Sequence, residues 1–215
     1  MLKTRIKASQ IANLTDARYF AAWGAEWLGF NLEKGTENYI HPSEMKAIKE
    51  WVEGPKMIGE FSSQSVEDIV EYANLLELDA IQIGPFINPQ TIKLQKNIPI
   101  FKEVVLEKDS IESEIKLTLE KEWMHVDFFI INFDKNALTW SMLKAKEFLS
   151  VDWLKNLCGT YNIILSIELS STQLEEILEE VKPYGICLKG GEEEMVGVKS
   201  FDELDDIFEN LETFE

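Results

Sequence analysis

A single (β/α)8 barrel, a TIM barrel spanning residues 1–215, is the fold this sequence predicts, and three observations predict it. Short β-branched or aromatic runs alternate eight times with longer amphipathic segments along the 215 residues. The repeat is about 27 residues per strand–helix unit, close to what such a barrel requires. The strand runs are near-continuously apolar, as in parallel strands covered by helices. The competing architecture is a doubly wound open sheet, but no GxGxxG follows the first strand.

The units run in order. "RIKAS" reads as the first strand, followed by the helical "TDARYFAAW" with Asn13 or Thr15 as cap. "EWLGFNL" precedes "PSEMKAIKEWV", and "KMIGEF" precedes "SVEDIVEYANLL", where Ser65, Glu67 and Asp68 mark a helix start. "DAIQIG" leads to a short helix around "NPQTIKLQ", and "IPIFKEVV" to "SIESEIKLTLEKE". "VDFFIINF" is followed by one helical stretch, roughly "TWSMLKAKEFLSVDWLKNL". "NIILSIEL" with "TQLEEILEEV", and "YGICLK" with "FDELDDIFENL", complete the series. No linker or low-complexity segment interrupts it.

Composition narrows the function. A formal charge of −18 repels phosphate backbones, so nucleic acid is not an expected partner. It also slows the approach of an anionic small molecule. Cys158 and Cys187 are far apart and lack a CxxC pattern, and His41 and His125 are the only histidines. Neither a disulfide framework, a metal site, a cofactor nor a Ser-His-Asp triad is therefore expected. There is no long apolar run, and "MLKTRIKASQ" lacks a signal-peptide core, so the expectation is a cytoplasmic protein with no membrane partner.

Barrel enzymes place chemistry at the C-terminal ends of the strands. The residues expected there are Lys7, Ser9 and Gln10 after the first strand, and Asn31 through Asn38 after the second. Gln82 and Gly84 follow the fourth strand, and Lys102 and Glu103 lie on the fifth. Asn132 and Asp134, Ser166 and Glu168, and Lys189, Gly190 and Gly191 follow the last three. Each also has a plain structural reading, such as an interior lysine paired with a carboxylate, a satisfied amide or a turn glycine.

"RIKASQIANLTDARYFAAWGAEWLGF" resembles the opening of phosphoribosylanthranilate isomerases, whose first strand ends Lys-Ile-Cys-Gly-Ile-Thr and continues Asn-Leu-x-Asp-Ala. Asn13-Leu14, Asp16-Ala17, Gly24-Ala25 and Gly29-Phe30 fit. "NYIHP" resembles the family's Arg-Tyr-Ile-Ser-Pro, "AIQIG" its Val-Gln-Leu-His-Gly, and "IFKEV" its Ile-Lys-Ala-Val. The likeness is good over about residues 5–105 and thin afterwards.

The resemblance implies an Amadori rearrangement, in which a general acid opens the sugar ring and a general base removes the neighbouring carbon-bound proton. The family base, a cysteine, falls on Ser9, and the family acid, an aspartate, on Asn132. The arginine that meets the anthranilate carboxylate falls on Asn38, and the histidine after the fourth strand on Gly84. After the seventh strand Ile167-Glu168 replaces a Gly-Gly phosphate loop, whereas Lys189, Gly190 and Gly191 keep a glycine-rich turn that can hold an anion. Asp134 becomes the family acid only if the register slips by two residues.

The expectation is a divergent family member, without the usual acid/base pair, that binds a small-molecule ligand at the barrel mouth or runs another reaction there using Lys7, Lys102 or Asp134. A phosphosugar is one candidate ligand, and the chain is a monomer or homodimer. One alternative is an active isomerase with altered groups, with Ser9 activated by Lys7. Another is a non-catalytic scaffold whose acidic face docks a partner.

Overall fold

A computed structural model of the chain describes residues 1–190, 193–195 and 198–213. Eight parallel strands close on themselves in sequence order: β1 (Arg5–Ser9), β2 (Trp27–Asn31), β3 (Lys56–Phe61), β4 (Ala80–Ile83), β5 (Ile100–Val105), β6 (Phe128–Asn132), β7 (Ile163–Ser166) and β8 (Gly185–Lys189). Closure is made by β1 pairing β8, with Lys7 opposite Cys187 and Ser9 opposite Lys189. The open-sheet alternative is thereby excluded.

Helices α1 (Leu14–Ala22), α2 (Pro42–Lys49), α3 (Val66–Leu75), α4 (Pro89–Gln95) and α5 (Glu112–Glu122) follow the first five strands. Their starts are locally encoded. Asn13 accepts from Asp16 N at α1, Ser65 accepts from Asp68 N at α3, and His41 with Glu44 forms a capping box ahead of Pro42 at α2.

The sequence reading of one long helix after the sixth strand is corrected. It is two helices, α6 (Trp140–Lys144) and α7 (Val151–Thr160). Lys146 takes a left-handed φ of 58°, which ends the first, and the Ser150 side chain accepts from Trp153 N to start the second. Helix α8 (Ser171–Glu180) follows β7. After β8 the chain forms a small antiparallel pair, β9 (Glu193–Met195) with β10 (Val198–Lys199), before α9 (Asp202–Leu211). Gly191, half of the predicted anion turn, lies outside the described residues.

Two apolar cores result. The larger lies between barrel and helices, with Phe20, Leu28, Ile81 and Ile131 fully or almost fully buried. The second fills the barrel's lower interior with Trp27, Ile58, Ala80, Phe101, Ile130, Ile164 and Cys187. Phe101 stacks on Phe128 at 4.5 Å, and Trp27 meets Phe101 edge-on at 5.5 Å, so the floor is an aromatic plug. Above it the inward-facing positions turn polar, and there the mouth begins. No helix among the described residues is long and apolar enough to cross a membrane.

Candidate functional site

Inward-facing positions of the strands, two residues above the plug, define the site. On β1 these are Lys7 and Ser9. Lys7, with no solvent exposure, donates from Nζ to Ser9 Oγ at 2.5 Å and pairs with Glu60 Oε1 at 2.5 Å. Glu60 comes from β3 and also accepts from Gln10 N at 3.2 Å through its other oxygen. Ser9 Oγ lies 3.0 Å from Cys187 Sγ. Since the ammonium can only donate, the Ser9 hydroxyl proton is free to point at the sulfur.

Gly29 on β2 makes room for this pair. A Cβ there would stand 2.0 Å from Glu60 Oε1 and 2.9 Å from Lys7 Nζ. Gln10 takes a left-handed φ of 57°, and its side-chain oxygen accepts from Asn38 Nδ2 at 3.2 Å. Asn38, exposed and also left-handed, therefore belongs to the rim.

The opposite wall is built on Glu103. Its Oε1 accepts from Asn132 Nδ2 at 2.7 Å, and its Oε2 pairs with Lys135 Nζ at 2.5 Å. Asn132 Oδ1 accepts from Lys135 N at 3.0 Å. The sixth strand ends at Asn132, so Asp134 does not continue its face but turns back through a 3-10 turn (Asp134–Asn136). There its Oδ2 accepts from Ser166 Oγ at 2.7 Å and lies 3.5 Å from Lys189 Nζ.

Electrostatics follow from these contacts. Burial pulls the Lys7 pKa down, but the Glu60 carboxylate, with smaller contributions from Cys187 and Glu103, carries it above the ordinary lysine value. Lys7 is thus a fixed cation and cannot take the Ser9 proton. Burial pushes the Cys187 thiol up, and Lys7 and Ser9 offset only part of that. At neutral pH the sulfur keeps its proton.

Most of the residues predicted for the mouth do converge. Ser9, Gln82, Asn132 and Lys189 line one cavity of about 90 Å³, and Lys7 lies beneath it. Gly190 lies against Asp16, whose carboxylate oxygen would be 2.9 Å from a Cβ at that position. Gly84 is fixed by packing, because a Cβ there would approach Ser62 O to 2.4 Å. A larger residue cannot occupy that backbone position without a shift. Glu168 is exposed beyond β7.

Lys102 is a correction. Alternation along β5 turns Phe101 and Glu103 into the barrel and Lys102 outward, beneath α4. It is almost fully buried, donates to Pro85 O at 2.8 Å and Ile87 O at 2.6 Å, and lies 3.6 Å from Glu122 Oε2. Burial pulls its pKa down, with Glu122 opposing. It holds the loop before α4 and does not reach the mouth. Lys102→Met is expected to cost about 2 kcal/mol by orphaning those carbonyls, read as a lower urea midpoint with ligand binding at the mouth unchanged.

Glu60 and Cys187 join the site without having been expected there from sequence. A signal for Glu60 exists in "KMIGEF", an apolar strand carrying one charged residue near its C-terminal end. Cys187 looks like an ordinary buried thiol in the sequence, and only the closing register brings it beside Ser9.

A family model for N-(5'phosphoribosyl)anthranilate (PRA) isomerase matches residues 6–210. The chain belongs to the PRA isomerase family. The N-(5'-phosphoribosyl)anthranilate isomerase of Sulfurihydrogenibium sp. (strain YO3AOP1) is 26% identical over 201 residues, covering 93% of this chain and 94% of that protein. The crystal structure of the Thermus thermophilus PRA isomerase superposes with a TM-score of 0.76 at 25% identity, covering 97% and 98% of the two chains. That from Thermotoga maritima gives a TM-score of 0.76 at 21% identity over the same shares, a likeness of fold.

Proposed function

We propose that this member of the PRA isomerase family binds a compact polar ligand at its barrel mouth and does not carry out the Amadori isomerisation with the family's thiol and carboxylate. The observation that carries this reading is the fate of Ser9. Its hydroxyl is held by an ammonium that stays protonated and faces a thiol that also stays protonated. Among the described residues, neither group hydrogen-bonded to the Ser9 hydroxyl can accept its proton. On the other wall, the Asn132 amide is tied to Glu103 and has no titrating proton. The cavity, at about 90 Å³, is also well below the ~300 Å³ at which ordinary ligand pockets begin.

The test is turnover of fluorescent phosphoribosylanthranilate by the wild type and by the Ser9→Cys/Asn132→Asp double variant. The wild type is expected to be silent. In the double variant, the introduced thiol would sit against the Lys7 ammonium, which favours thiolate. The introduced carboxyl would sit against Glu103, which favours a protonated acid. Slow but measurable turnover is expected from it. Turnover by the wild type at ordinary enzyme rates would overturn the reading.

A further inference from the structure

Resting on that reading, the mouth also states which ligand it suits. We infer that its ligand is an uncharged polyol of about three to five carbons, without a phosphate group. Charge comes first. The three lysines at the mouth are each paired with a carboxylate: Lys7 with Glu60 at 2.5 Å, Lys135 with Glu103 at 2.5 Å, and Lys189 with Asp134 at 3.5 Å. Among the described residues the mouth holds no spare cation for a phosphate dianion, and the chain's net charge of −18 opposes the approach of one. A zwitterion fares no better, because each charge it would need already has its opposite within contact. A neutral ligand leaves all three pairs intact.

Hydrogen bonding comes second. Gln82 projects into the cavity from β4, opposite Glu60 in the ladder, and its side chain makes no hydrogen bond among the described residues. Its Oε1 is buried without a partner among the described residues, and so is Asp134 Oδ1 beside Ser166. Native structures seldom leave such atoms unpaired. The oxygens of a fully ionised phosphate ester only accept, so they cannot satisfy two orphan acceptors. A hydroxyl donates and accepts, so it meets the Gln82 amide in either orientation.

Size comes third. One water needs roughly 10–15 Å³ of such accessible volume, so the cavity of about 90 Å³ takes on the order of six to nine non-hydrogen atoms, close to the count of a polyol of a few carbons.

Saturation-transfer NMR on the full chain, with erythritol, D-ribose, D-ribose 5-phosphate and inorganic phosphate as probes, tests the inference. Erythritol or ribose is expected to bind. Ribose 5-phosphate should bind no better than ribose, and inorganic phosphate, read as a competitor, should not displace bound erythritol from the mouth. Gln82→Leu, which breaks no existing hydrogen bond, should weaken polyol binding about tenfold at unchanged thermal stability. Tighter binding of ribose 5-phosphate than of ribose, or no binding of either polyol, would overturn the inference. Both results are distinct from wild-type turnover of phosphoribosylanthranilate, which would overturn the reading beneath it.

Discussion

Lys7→Met should lower the unfolding free energy by about 3–5 kcal/mol, the cost of leaving a buried charge without its partner. Lys7 has no exposure and the Glu60 side chain only 9%, so water cannot replace the lost ammonium. The methionine fills a similar volume, which confines the loss to charge and hydrogen bonding. Lys7→Met/Glu60→Leu should recover most of it, since replacing both members of a buried pair by apolar residues is often nearly neutral. A urea titration of wild type, single and double variants reads both effects. If the double variant stays as unstable as the single, the loss lies in the bonds to Ser9 and Gln10 and not in the charge.

The pair also predicts an alkaline limb. The folded-state pKa of Lys7 is raised above its ordinary value of 10.5. Its contribution is therefore complete below that pH and is lost as pH rises through the higher folded value. Wild type should lose more stability above pH 10.5 than the double variant does.

Gly29→Ala carries the second large effect. The new methyl would meet Glu60 Oε1 at 2.0 Å and Lys7 Nζ at 2.9 Å, so the pair must part or the strands must spread. A cost of about 3 kcal/mol or more is expected, at the upper end for overpacking, because separating the ions adds to the clash. In a Glu60→Ala background the carboxylate that makes the closest clash is gone, and the added cost should fall to about 1 kcal/mol or less. A four-variant cycle by denaturant unfolding measures the coupling. An unchanged cost in the Glu60→Ala background would mean that Gly29 is required by backbone packing and not by the ion pair.

The barrel is legible in the sequence because its signals are local and repeated. Each strand is a short apolar run, and capping residues such as Asn13 and Ser65 sit where helices begin. The break between α6 and α7 is not legible, because Lys146 carries no side-chain signal for a left-handed backbone and the apolar spacing continues across it. The mouth is partly legible. Ser9, Gln82, Asn132 and Lys189 follow from strand ends alone. Lys102 is misplaced and Glu60 overlooked for one reason: a buried parallel strand is apolar on both faces, so its pattern does not announce which side points inward. Cys187 needs the β1–β8 register, a contact between the two ends of the chain that no local window contains.

The aromatic plug under the mouth separates two kinds of selection. Trp27, Phe101 and Phe128 pack on one another in the lower barrel, so part of its cohesion lies outside the layer that lines the mouth. A lineage with such a floor can vary the groups that line the cavity above it at modest cost to the fold, whereas the Lys7–Glu60 pair and the Gly29 that makes room for it stay fixed by what their loss would cost. That division lets a barrel keep its family's architecture across the whole chain while the lining of its mouth varies.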